Sequence, residues 1–158
     1  MAVQVAVCGP DSCTEADSAA AYQVGRLLAQ RGAVVVCGGG SGVMAAAAAG
    51  ARSAGGLVVG VLPGATREGA SPDISLTVVT NLGQARNAVI VWSADAVVAV
   101  GGSWGTLSEV ALAMRRGGVP VVWLGGWRLT DRDGAPVPGI GYATDPDEAV
   151  ELALRDRG

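Results

Sequence analysis

Four apolar runs in this chain stop abruptly at glycine, and that pattern restricts the possible folds most. The runs, at 3–8, 33–37, 57–62 and 95–100, end in Gly9-Pro10, Gly38–Gly42, Pro63-Gly64 and Gly101–Gly105. Three of the four then restart at helical spacing, over 14–31, 43–53 and 106–116. Strands apolar on both sides belong in a parallel sheet whose two faces are covered by helices. The spacing predicts further strands at 76–79 and 120–124, a short last one near 142–143, and helices over 82–92 and 146–155. Thr14 and Asp145 are placed to cap helices, with Glu148 at the third position of the last one. The polar stretches 65–75 and 125–141 read as surface loops. One α/β domain over 1–158 is expected, with no linker and no internal repeat.

In such sheets ligands bind beyond the carboxyl ends of the strands, where the strand order switches. The four glycine turns should therefore line one crevice. Gly101-Gly102-Ser103-Trp104-Gly105-Thr106-Leu107-Ser108-Glu109 carries the clearest chemistry. A glycine turn opening a helix presents free N–H groups at a positive dipole end, which suits phosphate. Glu109 lies one turn inside that helix, and Thr106 is placed to cap it or to meet a phosphate oxygen. Gly40-Ser41-Gly42-Val43-Met44-Ala45 matches the dinucleotide pattern G-x-G-x-x-A, but the ribose-gripping acid expected about 20 residues on is missing near Gly60. Phosphate contact without dinucleotide recognition is the reading that remains. Arg86, early in the helix after a strand end, is a bidentate phosphate candidate, with Asn87 beside it. Trp104 serves either as a base-stacking ring or as an anchor between loops.

Composition removes many alternatives. All 11 basic residues are arginine, and the chain has neither lysine nor histidine. That excludes a lysine Schiff base, a Walker-A lysine, Ser-His or Cys-His pairs and His-bound metal. It rules out a pyridoxal-phosphate decarboxylase too. A net charge of −3, with no arginine cluster larger than Arg115-Arg116, argues against nucleic acid. No apolar run is long enough to span a membrane, the first residues read as a strand, and a cytoplasmic protein is expected. Cys8, Cys13 and Cys37 lack disulfide or metal spacing, so strand-end thiols in a reduced compartment are expected. Asp11, Asp17 and Asp95 have loop, cap and strand-start explanations. Abundant Ala and the 25 Gly suggest close packing of helices on the sheet.

Gly38-Gly39-Gly40-Ser41-Gly42-Val43-Met44, Leu62-Pro63-Gly64, Ala85-Arg86-Asn87 and Gly101 to Glu109 together resemble the LOG family, often labelled lysine decarboxylases. The resemblance spans about 3–124. It implies a Rossmann-like three-layer sandwich, with a mainly parallel sheet of about six to seven strands. It implies a homodimer or higher homo-oligomer, joined through helices that flank the sheet. Family enzymes cleave the N-glycosidic bond of nucleoside 5′-monophosphates, releasing base and ribose 5-phosphate. Their paired Arg and Glu correspond to Arg86 and Glu109. Here Gly101 stands in place of the family's Pro, Ser103 in place of its second Gly, and Asn87 in place of its Lys. Those departures are similar to a side branch that includes molybdenum-cofactor carrier proteins.

Two functions follow as expectations. In the first, a phosphoribohydrolase, Glu109 stabilises an oxocarbenium-like sugar or orients water, while Arg86 binds phosphate or steadies the leaving base. In the second, a carrier or sensor of a phosphorylated pterin or nucleotide uses the same loops without turnover. Both draw the ligand surface from Gly9, Pro10, Gly39, Gly40, Ser41, Gly42, Val43, Met44, Pro63, Arg86, Asn87, Gly101, Gly102, Ser103, Trp104, Gly105, Thr106 and Glu109. Neither needs a metal or an organic cofactor.

Overall fold

The computed structural model describes residues 1–155. The chain runs β1 (Gln4–Cys8), α1 (Glu15–Gln30), β2 (Val34–Cys37), α2 (Val43–Ser53), β3 (Val58–Leu62), β4 (Leu76–Val79), a single 3₁₀ turn (Gly83–Ala85) and α3 (Arg86–Ser93). It continues with β5 (Ala96–Val100), α4 (Trp104–Arg116), β6 (Val121–Leu124), β7 (Ile140–Ala143) and α5 (Pro146–Leu154). The expected domain extent, 1–158, includes residues 156–158, which lie outside the described residues.

All seven strands pair in parallel, in the order β4-β3-β2-β1-β5-β6-β7. The fold is a Rossmann-like α/β sandwich, and the order reverses between β1 and β5. Register is direct across that switch, with Val5 opposite Ala96 and Cys8 opposite Ala99. Alternate residues of each strand feed opposite cores. Val5, Val7, Val35, Val98 and Val100 pack under α1, α2 and α5. Ala6, Cys8, Val36, Val97, Ala99 and Trp123 pack under α3 and α4.

Small residues shape one helix layer. A Cβ on Gly25 of α1 would fall 2.0 Å from the Ala47 carbonyl oxygen, and one on Gly50 of α2 would fall 1.9 Å from that of Tyr22. The backbones of α1 and α2 therefore approach closely at these two glycines. The fully buried stripe of α1 is Ala21, Val24, Gly25 and Leu28, with Ala20 and Leu27 at its rim.

Several boundaries moved for local reasons. α4 begins at Trp104 because Ser103, in extended backbone, accepts the Thr106 amide at 3.2 Å and so takes the capping role assigned to Thr106. The segment expected as one helix over 82–92 opens with the 3₁₀ turn. β3 and β4 are joined without a helix, and the connecting loop is tied down by the Ser71 amide donating to the Gly39 carbonyl at 2.9 Å. α5 is capped as expected, with the Asp145 carboxylate accepting the Glu148 amide at 2.8 Å. In the 125–141 loop, Thr130 and Pro136 form an isolated antiparallel bridge.

Candidate functional site

The carboxyl ends of β1, β2, β3 and β5 open on one crevice at the switch in strand order. It comprises two adjoining cavities of about 350 and about 320 Å³. The first is walled by Gly9, Pro10, Asn87, Ser103, Trp104, Gly105, Thr106 and Glu109. The second is walled by Gly38, Gly39, Gly40, Ser41, Leu62, Pro63, Glu68 and Gly69. Asp11, Met44, Gln84 and Arg86 belong to both. The two glycine turns thus face a common space, with Arg86 between them.

Arg86 is 9% exposed and partly committed. Its Nε donates to the Val61 carbonyl at 3.0 Å, and an Nη donates to the side-chain oxygen of Asn87. Asn87 in turn donates to the Ser108 hydroxyl at 3.1 Å, and Ser108 donates to the Gly105 carbonyl at 2.7 Å. This chain of bonds links the guanidinium to the α4 turn. The other Nη lies against Gly38, where a Cβ would come within 2.8 Å of it. The absence of a side chain at Gly38 leaves room for that nitrogen beside the second cavity.

Glu109, 7% exposed, reaches the first cavity from α4. Burial raises its carboxyl from 4.5 to about 7, against the opposing pull of Arg86 and of a hydrogen bond with Cys8. Among the described residues the ion pair present is the exposed Arg132–Asp133 contact, so Glu109 and Arg86 share the cavity without pairing directly. Beneath them, burial and the neighbouring Glu109 push the Cys8 thiol well above its ordinary range. Burial likewise pushes Cys37 to about 11. Both thiols are protonated and unreactive at neutral pH.

At the α4 terminus the Ser103 hydroxyl occupies the Thr106 amide and lies 2.9 Å from the Thr106 hydroxyl. The first two helical amides, of Trp104 and Gly105, have no intrahelical acceptor and belong to cavity-wall residues. At α2 the Val43 amide is taken by the Pro10 carbonyl at 3.0 Å, and the Ser41 hydroxyl donates to the Asp11 carbonyl at 3.0 Å.

Most of the expected site residues meet in this crevice, but four line neither cavity. Val43 is fully buried beneath Gly9. Gly42 is a close-approach point, where a Cβ would fall 2.3 Å from the Pro10 carbonyl. Gly101 accepts the Trp123 indole N–H at 2.7 Å, and Gly102 seats the Trp127 ring. Sequence reasoning set aside Asp11 as a loop residue, although it directly follows the Gly9-Pro10 turn. It passed over Gln84, two positions before Arg86, and Cys8, whose contact with Glu109 depends on tertiary packing. Glu68 and Gly69 carried no local signal. Among the described residues no group of His, Cys, Asp or Glu is arranged to hold a metal ion, and no helix is long and apolar enough to cross a membrane.

The profile of the SLOG cluster4 family matches residues 2–150. The chain belongs to that family. Among relatives in sequence, an uncharacterized protein of Archaeoglobus fulgidus is 44% identical over 115 residues, covering 73% of this chain and 76% of that one. The molybdenum cofactor binding protein of Rippkaea orientalis is 35% identical, with a TM-score of 0.86 over 96% of this chain and 95% of that one. The molybdenum cofactor carrier protein of Chlamydomonas reinhardtii is 31% identical, with a TM-score of 0.79 over 95% and 94%. The LOG-like motifs and the carrier branch read from the sequence agree with these matches.

Proposed function

We propose that the crevice binds a phosphorylated pterin of the molybdenum-cofactor kind and carries it without chemical turnover. The observation that carries this reading is the state of Arg86 and Glu109. Asn87 and Val61 hold much of the guanidinium fork, which leaves one Nη group for an anion. Glu109 has its carboxyl raised to about 7, so near neutrality it is protonated in much of the population. A protonated carboxyl is a hydrogen-bond donor and a poor stabiliser of a sugar cation. The likeness to carrier proteins over nearly the whole chain supports the same choice.

A second reading, phosphoribohydrolase, is favoured by one observation: Glu109 and Arg86 share a cavity large enough for a nucleotide. One assay tests both. Purified protein is titrated with a side-chain-phosphorylated pterin and with AMP, and free base is followed by chromatography. Binding without base release is expected, and Arg86→Ala should weaken binding at least about tenfold. Base release that vanishes in Glu109→Gln would establish the hydrolase instead. If neither compound binds, both readings fail.

The partner inferred for the outer face of α3 and α4 is a second copy of the chain. An apolar groove of about 570 Å³ lies there, walled by Ala85, Ala88, Ala111 and Leu112 among others, with Leu82 and Trp92 exposed on the same segment. Gln84 and Asn87 belong to both this groove and the ligand cavity, so a partner copy would border the ligand.

A further inference from the structure

Trp104 is 78% exposed at the wall of the first cavity, an unusual place to leave a large apolar ring in water. It nevertheless has a defined neighbour on two sides. Its backbone is the first residue of α4, pinned by the Ser103 cap, and its indole meets Trp127 edge-on at 5.1 Å between ring centroids and 77° between planes. Trp127 in turn lies where Gly102 has no side chain. A Cβ there would come within 2.5 Å of the indole. Trp127 does not line the cavity, whereas Trp104 does. Trp104 is thus a ring supported along one edge by Trp127 and left uncovered, available to a flat partner.

We propose that Trp104 is the stacking wall for the ligand's flat heteroaromatic ring, with the phosphate seated apart from it in the compartment formed by Gly38 to Ser41. The proposal deepens the ligand-binding reading above and rests on it. Arg86 belongs to both compartments, and its uncommitted Nη lies on the Gly38 side, so the cation sits beside the phosphate. Pro10 and Met44 are the other apolar side chains of the ring compartment. A ligand combining a flat bicyclic ring with a phosphate on a short arm would occupy both. Trp127 is a positioning residue that acts through Trp104.

The test compares ring-bearing with ringless phosphates at one fixed pH. The probes are AMP, a side-chain-phosphorylated pterin and ribose 5-phosphate, with affinities taken from competition. The native protein should prefer the ring-bearing probes. Trp104→Ala should reduce that preference about tenfold or more and leave ribose 5-phosphate unchanged. Trp104→Phe should restore most of it, and Trp127→Ala should give a smaller loss of the same preference. Arg86→Ala should weaken all three probes together. An unchanged preference in Trp104→Ala, or no preference in the native protein, would overturn the stacking wall while leaving the phosphate site standing. Binding of none of the probes by the native protein would overturn the site reading and this inference with it.

Discussion

At the scale of single residues, Glu109 decides the pH behaviour. Its carboxyl holds a proton more tightly in the folded chain, at about 7, than at its ordinary 4.5. The stability that this group contributes is therefore fully present below about pH 4.5 and is lost as pH rises through about 7, on the order of 3 kcal/mol. Glu109→Gln removes this dependence. Its melting temperature relative to the native protein should be higher at about pH 8 than at about pH 5, as calorimetry would read it. An ionised Glu109 also repels an anion bound in the adjoining cavity, across Arg86. Native affinity for a phosphorylated ligand should fall above about pH 7 more steeply than that of Glu109→Gln, in titrations run side by side. The sequence marked this residue correctly as the carboxylate beside the glycine turn. It gave no sign that Cys8, on another element, would lie under it.

At the scale of elements, the tightest fit is between α1 and α2. Helix propensity alone favours alanine over glycine at an interior position by about 1 kcal/mol. At Gly50 the added methyl would meet the Tyr22 carbonyl at 1.9 Å. Overpacking of that kind costs about 3 kcal/mol, so Gly50→Ala should destabilise by a net of about 2 kcal/mol, read from the urea midpoint. An unchanged or raised midpoint would mean that the helices separate at little cost. Elements were legible where periodicity or capping chemistry was local, as for Thr14, whose hydroxyl accepts the Asp17 amide at 3.1 Å. The start of α4 was misplaced because Ser103 and Thr106 are both capping residues and only backbone geometry separates them.

At the scale of the whole molecule, strand order converges four turns on one crevice and leaves the α3–α4 face open beside it. Self-association through that face should be abolished by Ala111→Arg, which places an unpaired charge in the apolar groove. Sedimentation equilibrium should then show the mass of one chain where the native protein shows at least two, with the far-ultraviolet spectrum unchanged. Equal masses for the two proteins would remove this face as the contact.

The alternation of strands and helices, the parallel sheet and the places of Arg86 and Glu109 beside glycine turns were legible in the sequence, because each is signalled by residues adjacent in the chain or one helical turn apart. Tertiary structure decided which glycines face ligand space and which admit a neighbour. Gly38 and Gly105 line the crevice, while Gly42 yields to Pro10 and Gly102 to Trp127. It also decided the protonation of Glu109 and the exposure of Trp104. Those properties depend on how much water and which distant side chains surround a group, and spacing along one chain does not encode that.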